Sequence, residues 1–294
     1  HEGCNCVQYL FSLWHGHMVK TNRRYVCQEC GSVSHRWQGQ CADCGEWNTL
    51  VEDVPPQGKT LFYYTLGEEA WKRAETFPPP NARPQRLYFA AEGALVEAQP
   101  GESAADTYTV DYEATTGKTN RWGTQMAKPV IYPDRAEADA RLLTYTTAPL
   151  RQDVEITGYG LVTLHIASSE DDGAFFVYLE DVDPQGVVRY ITEGQLRGIH
   201  RKLALAPAPY ATPMPYRTFR RADAAPLPRG EFVELTFAFQ PTSVLIRTGH
   251  SIRVALAGAD ADTFARIPAE GVPTWQVGRG GAQASHITLP MIIA

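Results

Sequence analysis

The sequence predicts a mainly β protein: a β-sandwich preceded by a small four-cysteine ribbon. Three observations carry this expectation. All six cysteines lie before position 45 and the following 250 residues have none, which sets the amino-terminal segment chemically apart. Beyond Pro80, runs rich in β-branched and aromatic residues recur with turn residues between them and no long helical period. Several of these runs alternate apolar and polar side chains with a period of two, placing the large apolar groups on one face of a strand.

Composition limits the classes to consider. The chain has 294 residues with 44% hydrophobic and 20% charged side chains, ordinary for a globular protein and long enough to bury a core. Its 27 basic and 33 acidic residues give a net charge of −6, so no global field attracts nucleic acid. No run approaches the roughly 20 apolar residues that span a bilayer. Val7 to Trp14, the longest early apolar run, is interrupted by Gln8 and Ser12. It has no basic flank or small-residue cleavage site, so it does not read as a signal peptide.

In the amino-terminal piece, Cys27-Gln28-Glu29-Cys30-Gly31 and Cys41-Ala42-Asp43-Cys44-Gly45 are two C-x-x-C pairs separated by ten residues. Each pair can form a knuckle that aims two sulfurs at one ion, and the following glycine permits the positive φ such a turn needs. Together Cys27, Cys30, Cys41 and Cys44 supply the tetrahedral thiolate set that zinc favours. With four protein ligands the site is expected to be structural, supplying most of the folding free energy of a segment too short for its own core. Cys4 and Cys6, near His15 and His17, have C-x-C spacing without flanking glycine and read as coincidence.

The stretch from Met18 to Glu52, with Val33-Ser34-His35-Arg36-Trp37-Gln38-Gly39-Gln40 and Gly45-Glu46-Trp47-Asn48, resembles the zinc ribbon that opens the bacterial DNA-repair proteins of the RadA (Sms) family. The resemblance implies Met18 as a natural start and residues 1–17 as extraneous upstream sequence. It also implies that a recombination ATPase should follow, and none does. Gly58-Lys59-Thr60 and Gly117-Lys118-Thr119 imitate the end of a phosphate loop. However, the glycine required five residues earlier is Asp53 in one and Tyr112 in the other.

The body begins after a linker at about Pro55 to Lys59. Leu61 to Leu66 reads as a short buried strand, and Gly67 to Thr76 as a turn and a short helix that Pro78-Pro79-Pro80 stops. Strands are expected over Arg86 to Ala91, Leu142 to Thr147, Val154 to Ser168, Ala174 to Val182 and Val187 to Leu196. Val233, Leu235, Phe237 and Phe239 then alternate with Glu234, Thr236 and Ala238, as do Ile252, Val254 and Leu256 with Arg253 and Ala255. Ile287 and Leu289 repeat the pattern near the end. Many short strands without long helices argue for two packed sheets. Pro207 to Pro228 reads as a long loop whose Tyr210 and Tyr216 pack on the surface.

From about Leu61 to Ile292 the order of these segments resembles the carboxy-terminal part of the X-Pro dipeptidyl-peptidase and cocaine esterase (CocE/NonD) group of serine hydrolases. The carrying residues are Leu61 to Trp71, Leu87 to Leu95, Ala104-Asp106-Tyr108 in a following loop, and Asp153 to Gly158. Leu179 to Gly186, Pro241-Thr242-Ser243, Gly249 to Val254 and Ser285 to Pro290 complete them. The resemblance implies a jelly-roll β-sandwich of galactose-binding-like type over residues 81–294. Residues 57–80 would be a short remnant of an α/β-hydrolase domain, and 18–56 the ribbon. The implied partner is an α/β-hydrolase catalytic domain packing on the sandwich. Without it the docking face should be an exposed apolar patch that favours self-association into a homo-oligomer.

No catalytic residues are assigned. A G-x-S-x-G elbow is absent, and Gly101-Glu102-Ser103-Ala104-Ala105, the nearest imitation, lacks the last glycine. His165, His200, His250 and His286 fall on or beside sandwich strands, where the resemblance gives them no role. Asp171-Asp172 and Asp260-Ala261-Asp262 lack the interleaved pattern of a calcium loop and read as solvated turns. The expected function is therefore that of an accessory sandwich from a peptide- or ester-cleaving hydrolase, joined to a ribbon and inactive alone. A binding module is the first alternative, with Trp122 and Trp275 stacking on sugar rings against the competing role of core packing. A DNA-repair-associated zinc protein is the second, although Lys20, Arg23, Arg24 and Arg36 are too few for strong phosphate binding. The reduced knuckles and the lack of a signal point to the cytoplasm, without membrane contact.

Overall fold

The computed structural model describes residues 25–52, 60–126, 129–205, 207–210 and 212–293. Expectations for residues 1–17, Met18, Cys4, Cys6, His15, His17, Lys20, Arg23, Arg24 and Pro55 to Lys59 lie outside that set. The chain forms two compact units, His1–Lys59 and Thr60–Ala294.

In the first unit β1 (Tyr25–Cys27), β2 (Val33–Ser34) and β3 (Leu50–Glu52) make an antiparallel sheet in the order β2-β1-β3. Its core is minimal: Cys27, Cys41 and Leu50 are buried, with Tyr25 packed against them.

The second unit opens with a hairpin of β4 (Leu61–Thr65) and β5 (Ala70–Ala74). The short helix expected over Gly67 to Thr76 is therefore a strand. Gly67 and Glu69 both adopt positive φ in the turn, and Tyr64 Oη donates to Glu69 Oε2 across it at 2.5 Å. Pairing with β4 overrides the helical propensity of Glu-Glu-Ala-Trp-Lys-Arg-Ala-Glu. Then come β6 (Arg83–Phe89), β7 (Leu95–Val96) and β8 (Ala104–Thr109). A single helical turn, α1 (Ala136–Asp139), precedes β9 (Leu143–Thr146). After it lie β10 (Val154–Gly158), β11 (Leu161–Ser168), β12 (Ala174–Val182) and β13 (Val188–Arg197). The last five are β14 (Val233–Ala238), β15 (Thr242–Ile246), β16 (Ser251–Ala257), β17 (Thr274–Arg279) and β18 (His286–Ile293).

These strands form a curled nine-stranded sheet, with the path β15-β10-β18-β11-β17-β8 and β14, β6 and β7 on its flanks, and a four-stranded sheet, β13-β12-β16-β9. The mainly β expectation holds. The alternating residues do face inward: Leu235 and Phe237 of β14, Ile252, Val254 and Leu256 of β16, and Ile287 and Leu289 of β18 share one buried core. Three expectations need adjustment. Val154 to Ser168 is two strands, because Gly158 at φ +139 abuts Pro78 and Gly160 abuts Phe239, and a Cβ at either would collide. Ala104 to Thr109, expected in a loop, is β8, paired along its length with β17. The four-stranded sheet is buried on both faces, with Leu142, Phe264 and Ile267 packing on the outer side of Phe176, Tyr178 and Ala255.

The Pro-rich stretch is a loop, but tyrosines do not hold it down. Tyr210 is 62% exposed and meets Tyr216 edge-on. Buried Arg217 ties the loop instead, donating to the carbonyls of His200 at 2.7 Å, Arg201 at 3.1 Å and Thr236.

Candidate metal centre and candidate nucleophile

The two cysteine pairs fold as equivalent knuckles. The Gly31 amide donates to the Cys27 carbonyl and the Gly45 amide to the Cys41 carbonyl, each at 2.9 Å. Gly31 at φ +73 and Gly45 at φ +76 take the left-handed turn that any other L-residue would resist. The four sulfurs all lie within 4.8 Å of one another, with Cys27 to Cys44 at 3.6 Å and Cys30 to Cys41 at 3.7 Å. The edge of a tetrahedron with metal–sulfur bonds of ~2.3 Å is ~3.8 Å, so this spacing suits one tetrahedral ion.

The electrostatics agree. The Thr49 hydroxyl, 3.2 Å from Cys27 Sγ, draws that thiol below its ordinary value. The Ser32 hydroxyl and the amides of Cys44 and Asp43 bring Cys41 down to about 6. Cys44 receives the Glu46 amide, which favours its thiolate. Burial and its three sulfur neighbours nevertheless outweigh that and push it up to about 12. The lowered thiols of Cys27 and Cys41 and the raised thiol of Cys44 share one small site, an imbalance that a cation bound there would remove.

Ser103 stands at the foot of β8, on extended chain and not on a strand-to-helix elbow. Its hydroxyl lies against Gly281, where a Cβ would approach Ser103 Oγ to 2.0 Å. Among the described residues no imidazole nitrogen hydrogen-bonds a Ser or Thr hydroxyl or a Cys thiol. His286 Nδ1 is 2.8 Å from the Ala284 carbonyl, and burial lowers its pKa. His200 lies edge-on to Phe219. His250 Nδ1 meets Asp181 Oδ1 at 2.8 Å. This imidazole–carboxylate pair was not legible in the sequence, because 69 residues separate its members and only the pairing of β12 with β16 brings them together.

The other candidates are engaged elsewhere. Asp260 is not solvated. It is 1% exposed and accepts from the Thr116 amide at 3.1 Å, Thr116 Oγ1 at 2.5 Å and Thr115 Oγ1 at 3.2 Å. Asp172 is clasped by both Nε and Nη2 of Arg197. Gly117-Lys118-Thr119 leads into a 3-10 turn (Arg121–Met126), not the helix of a phosphate loop. Trp275 is 1% exposed and stacks on Phe175 with centroids 4.4 Å apart, and Trp122 donates from Nε1 to Glu193 Oε1 at 2.5 Å. Core packing thus accounts for Trp275, and neither indole is a free platform for sugar. Among the described residues the exposed indoles are Trp37, Trp47 and Trp71.

Known proteins resemble the two units separately. Residues 25–52 match the rubredoxin metal binding domain. Over 37 residues, 13% of this chain and 8% of the relative, the chain is 62% identical to the DNA repair protein RadA of Pseudomonas aeruginosa. It is 52% identical over 248 residues to a Mycobacterium bovis protein provisionally named a serine esterase, covering 83% of this chain but 38% of that one. The crystallised α-amino acid ester hydrolase shares the fold at a TM-score of 0.64 and 21% identity, over 85% of this chain and 42% of the hydrolase. The chain thus spans well under half of the relatives that its larger unit matches. Residues 55–288 match the X-Pro dipeptidyl-peptidase C-terminal non-catalytic domain, and the chain belongs to that family.

Proposed function

We propose that residues 81–294 are the accessory sandwich of a serine hydrolase that cleaves peptide or ester bonds, in the manner of X-Pro dipeptidyl-peptidases and acyl esterases. Residues 57–80 are the tail of its α/β-hydrolase domain, and within them β4 and β5 form a hairpin that bridges to β15 at Leu66 and Val244. Residues 18–56 are a ribbon in which Cys27, Cys30, Cys41 and Cys44 hold one structural Zn2+. The chain supplies neither nucleophile nor base, and its sandwich covers the catalytic domain and helps to shape the substrate mouth. The observation that carries this reading is the match of residues 55–288 to a domain described as non-catalytic. The position of Ser103, without an imidazole partner, supports it.

The partner is an α/β-hydrolase domain. Support comes from large apolar side chains left in solvent: Phe62, Leu66 and Trp71 on the hairpin, and Leu203, Leu205 and Phe219 on the long loop. Free thiols suited to a metal favour a reducing compartment, the cytoplasm. Among the described residues no helix is long and apolar enough to cross a membrane.

The test is fluorophosphonate labelling of the purified, zinc-loaded chain beside hydrolysis of a chromogenic X-Pro amide. Neither labelling nor turnover is expected. Labelling at Ser103 with turnover, both abolished by Ser103→Ala, would overturn the reading.

A further inference from the structure

The outer face of the four-stranded sheet buries a charged cluster that neither the ribbon nor the hydrolase reading uses. Glu180 of β12 lies opposite Arg253 of β16 in the strand register. Arg135 and Asp139 reach the same place from the α1 segment. Glu180 is fully buried, and Arg135 and Asp139 are each 3% exposed. Arg135 Nε donates to Glu180 Oε1 at 2.6 Å, and its Nη2 lies 3.4 Å from Asp139 Oδ1. Arg253 Nη1 donates to Asp139 Oδ2 at 3.2 Å. The Arg135 guanidinium also sits 4.7 Å over the Tyr178 ring. From β13, Tyr190 faces Glu180 and Glu193 faces Tyr178, while Asp260 acts on Tyr178 from the covering loop.

One oxygen of each carboxyl group is left over. Glu180 Oε2 and Asp139 Oδ1 are both buried without a hydrogen-bond donor. Two ionised carboxylates placed side by side with orphaned oxygens repel one another and forgo the hydrogen bonds that water would supply. Arg135 gathers both groups at one guanidinium, with Nε on Glu180 Oε1 at 2.6 Å and Nη2 3.4 Å from Asp139 Oδ1, so the carboxyls are neighbours and a single proton between them gives both spare oxygens a partner.

We propose that Glu180 and Asp139 share one proton at neutral pH, with the Glu180 carboxyl donating to Asp139, and that this proton latches the α1 segment onto the four-stranded sheet. Burial first, and then the contact with Asp139, hold the Glu180 carboxyl up at about 8 against the opposing pull of Arg135. The folded value lies above the unfolded one. The latch is therefore complete below about pH 4.5, the ordinary glutamate range, and is lost as pH rises through the folded value. Two ties remain either way, since the Arg135 amide donates to the Val188 carbonyl at 3.0 Å and the Val188 amide to the Asp134 carboxylate Oδ1 at 2.9 Å.

The test uses the whole chain labelled with 13C at the glutamate carboxyl carbon. One resonance, absent in Glu180→Gln, is expected to titrate near pH 8. The unfolding temperature of the wild-type sandwich should fall between pH 6 and pH 9, with the folding constant losing up to tenfold per pH unit above the midpoint. Glu180→Gln should be flat across that window. If every glutamate resonance titrates between about pH 4 and pH 5, or if the folded variant keeps the wild-type slope, the proposal fails. Burial also raises Glu193, so where Glu180→Gln does not fold the elevated resonance must persist in Glu193→Gln, and its loss there overturns the proposal.

Discussion

The ribbon buries Cys27, Cys41 and Leu50 with Tyr25 beside them, and leaves Val33, Trp37, Trp47 and Val51 in solvent. The sandwich buries inward rows from two sheets, among them Phe89 stacked on Tyr145 and Trp275 stacked on Phe175. A core of three side chains cannot offset the conformational entropy of ordering nearly thirty residues, whereas two interleaved sheets can. On the reading proposed above the two units draw stability from different sources: the ribbon from an ion held by four thiolates, the sandwich from apolar packing with buried polar ties. The ribbon should therefore respond to chelators and acid and the sandwich to cavities, each with little effect on the other.

The largest expected effect is metal removal. A chelator, or Cys41→Ser, should unfold residues 25–52 completely, since structural zinc contributes on the order of 10–16 kcal/mol in ribbons of this size. The sandwich transition in calorimetry should not move. Cobalt loaded into the ribbon should show the absorption of a tetrahedral four-thiolate site and be released on acidification, because protons compete for the sulfurs. A ribbon that keeps its fold without metal would break the comparison.

Trp275→Ala comes next and probes the other side. It removes a fully buried indole from its stack on Phe175 and its tilted contact with Tyr108 and should cost the sandwich about 3–5 kcal/mol. Cobalt absorption should be unchanged. Arg217→Ala is expected to be milder, about 1.5–3 kcal/mol, because hydrogen bonds to three backbone carbonyls are lost. Proteolysis within residues 201–232 should accelerate in step. The smallest effect belongs to Lys72→Met, which removes the 2.6 Å bond to Glu155 and the neighbouring contact with Glu68. It should cost about 1 kcal/mol, since buried Glu155 keeps the Thr157 hydroxyl as a donor, and high salt should reduce the difference only in part.

Much of this organisation was legible in the sequence, and the reasons are local. The paired C-x-x-C-G motifs encode their own turns, so the positive φ of Gly31 and Gly45 and the convergence of four sulfurs follow from short-range geometry. Alternation in β14, β16 and β18 reports which side chains face the core, because the pleat has a period of two. The helix expected at Gly67 to Thr76 failed because a strand edge supplied by β4 outweighed local propensity. Asp260 looked solvated because nothing near it in sequence shows that Thr115 and Thr116 return to cover it.

Local sequence patterns suffice for a cysteine-rich ribbon followed by a strand-rich body, and for the faces of its clearest strands. Those properties arise from spacings of a few residues. Tertiary structure alone decided that the four-stranded sheet is covered on both sides, that Arg217 pins the long loop, and that His250 finds Asp181. It also decided that Glu180 and Asp139, on separate elements, meet in a buried place with one oxygen each to spare. Such contacts join residues tens of positions apart, and no local pattern records them. They exist only once the sheets have packed and water has been excluded.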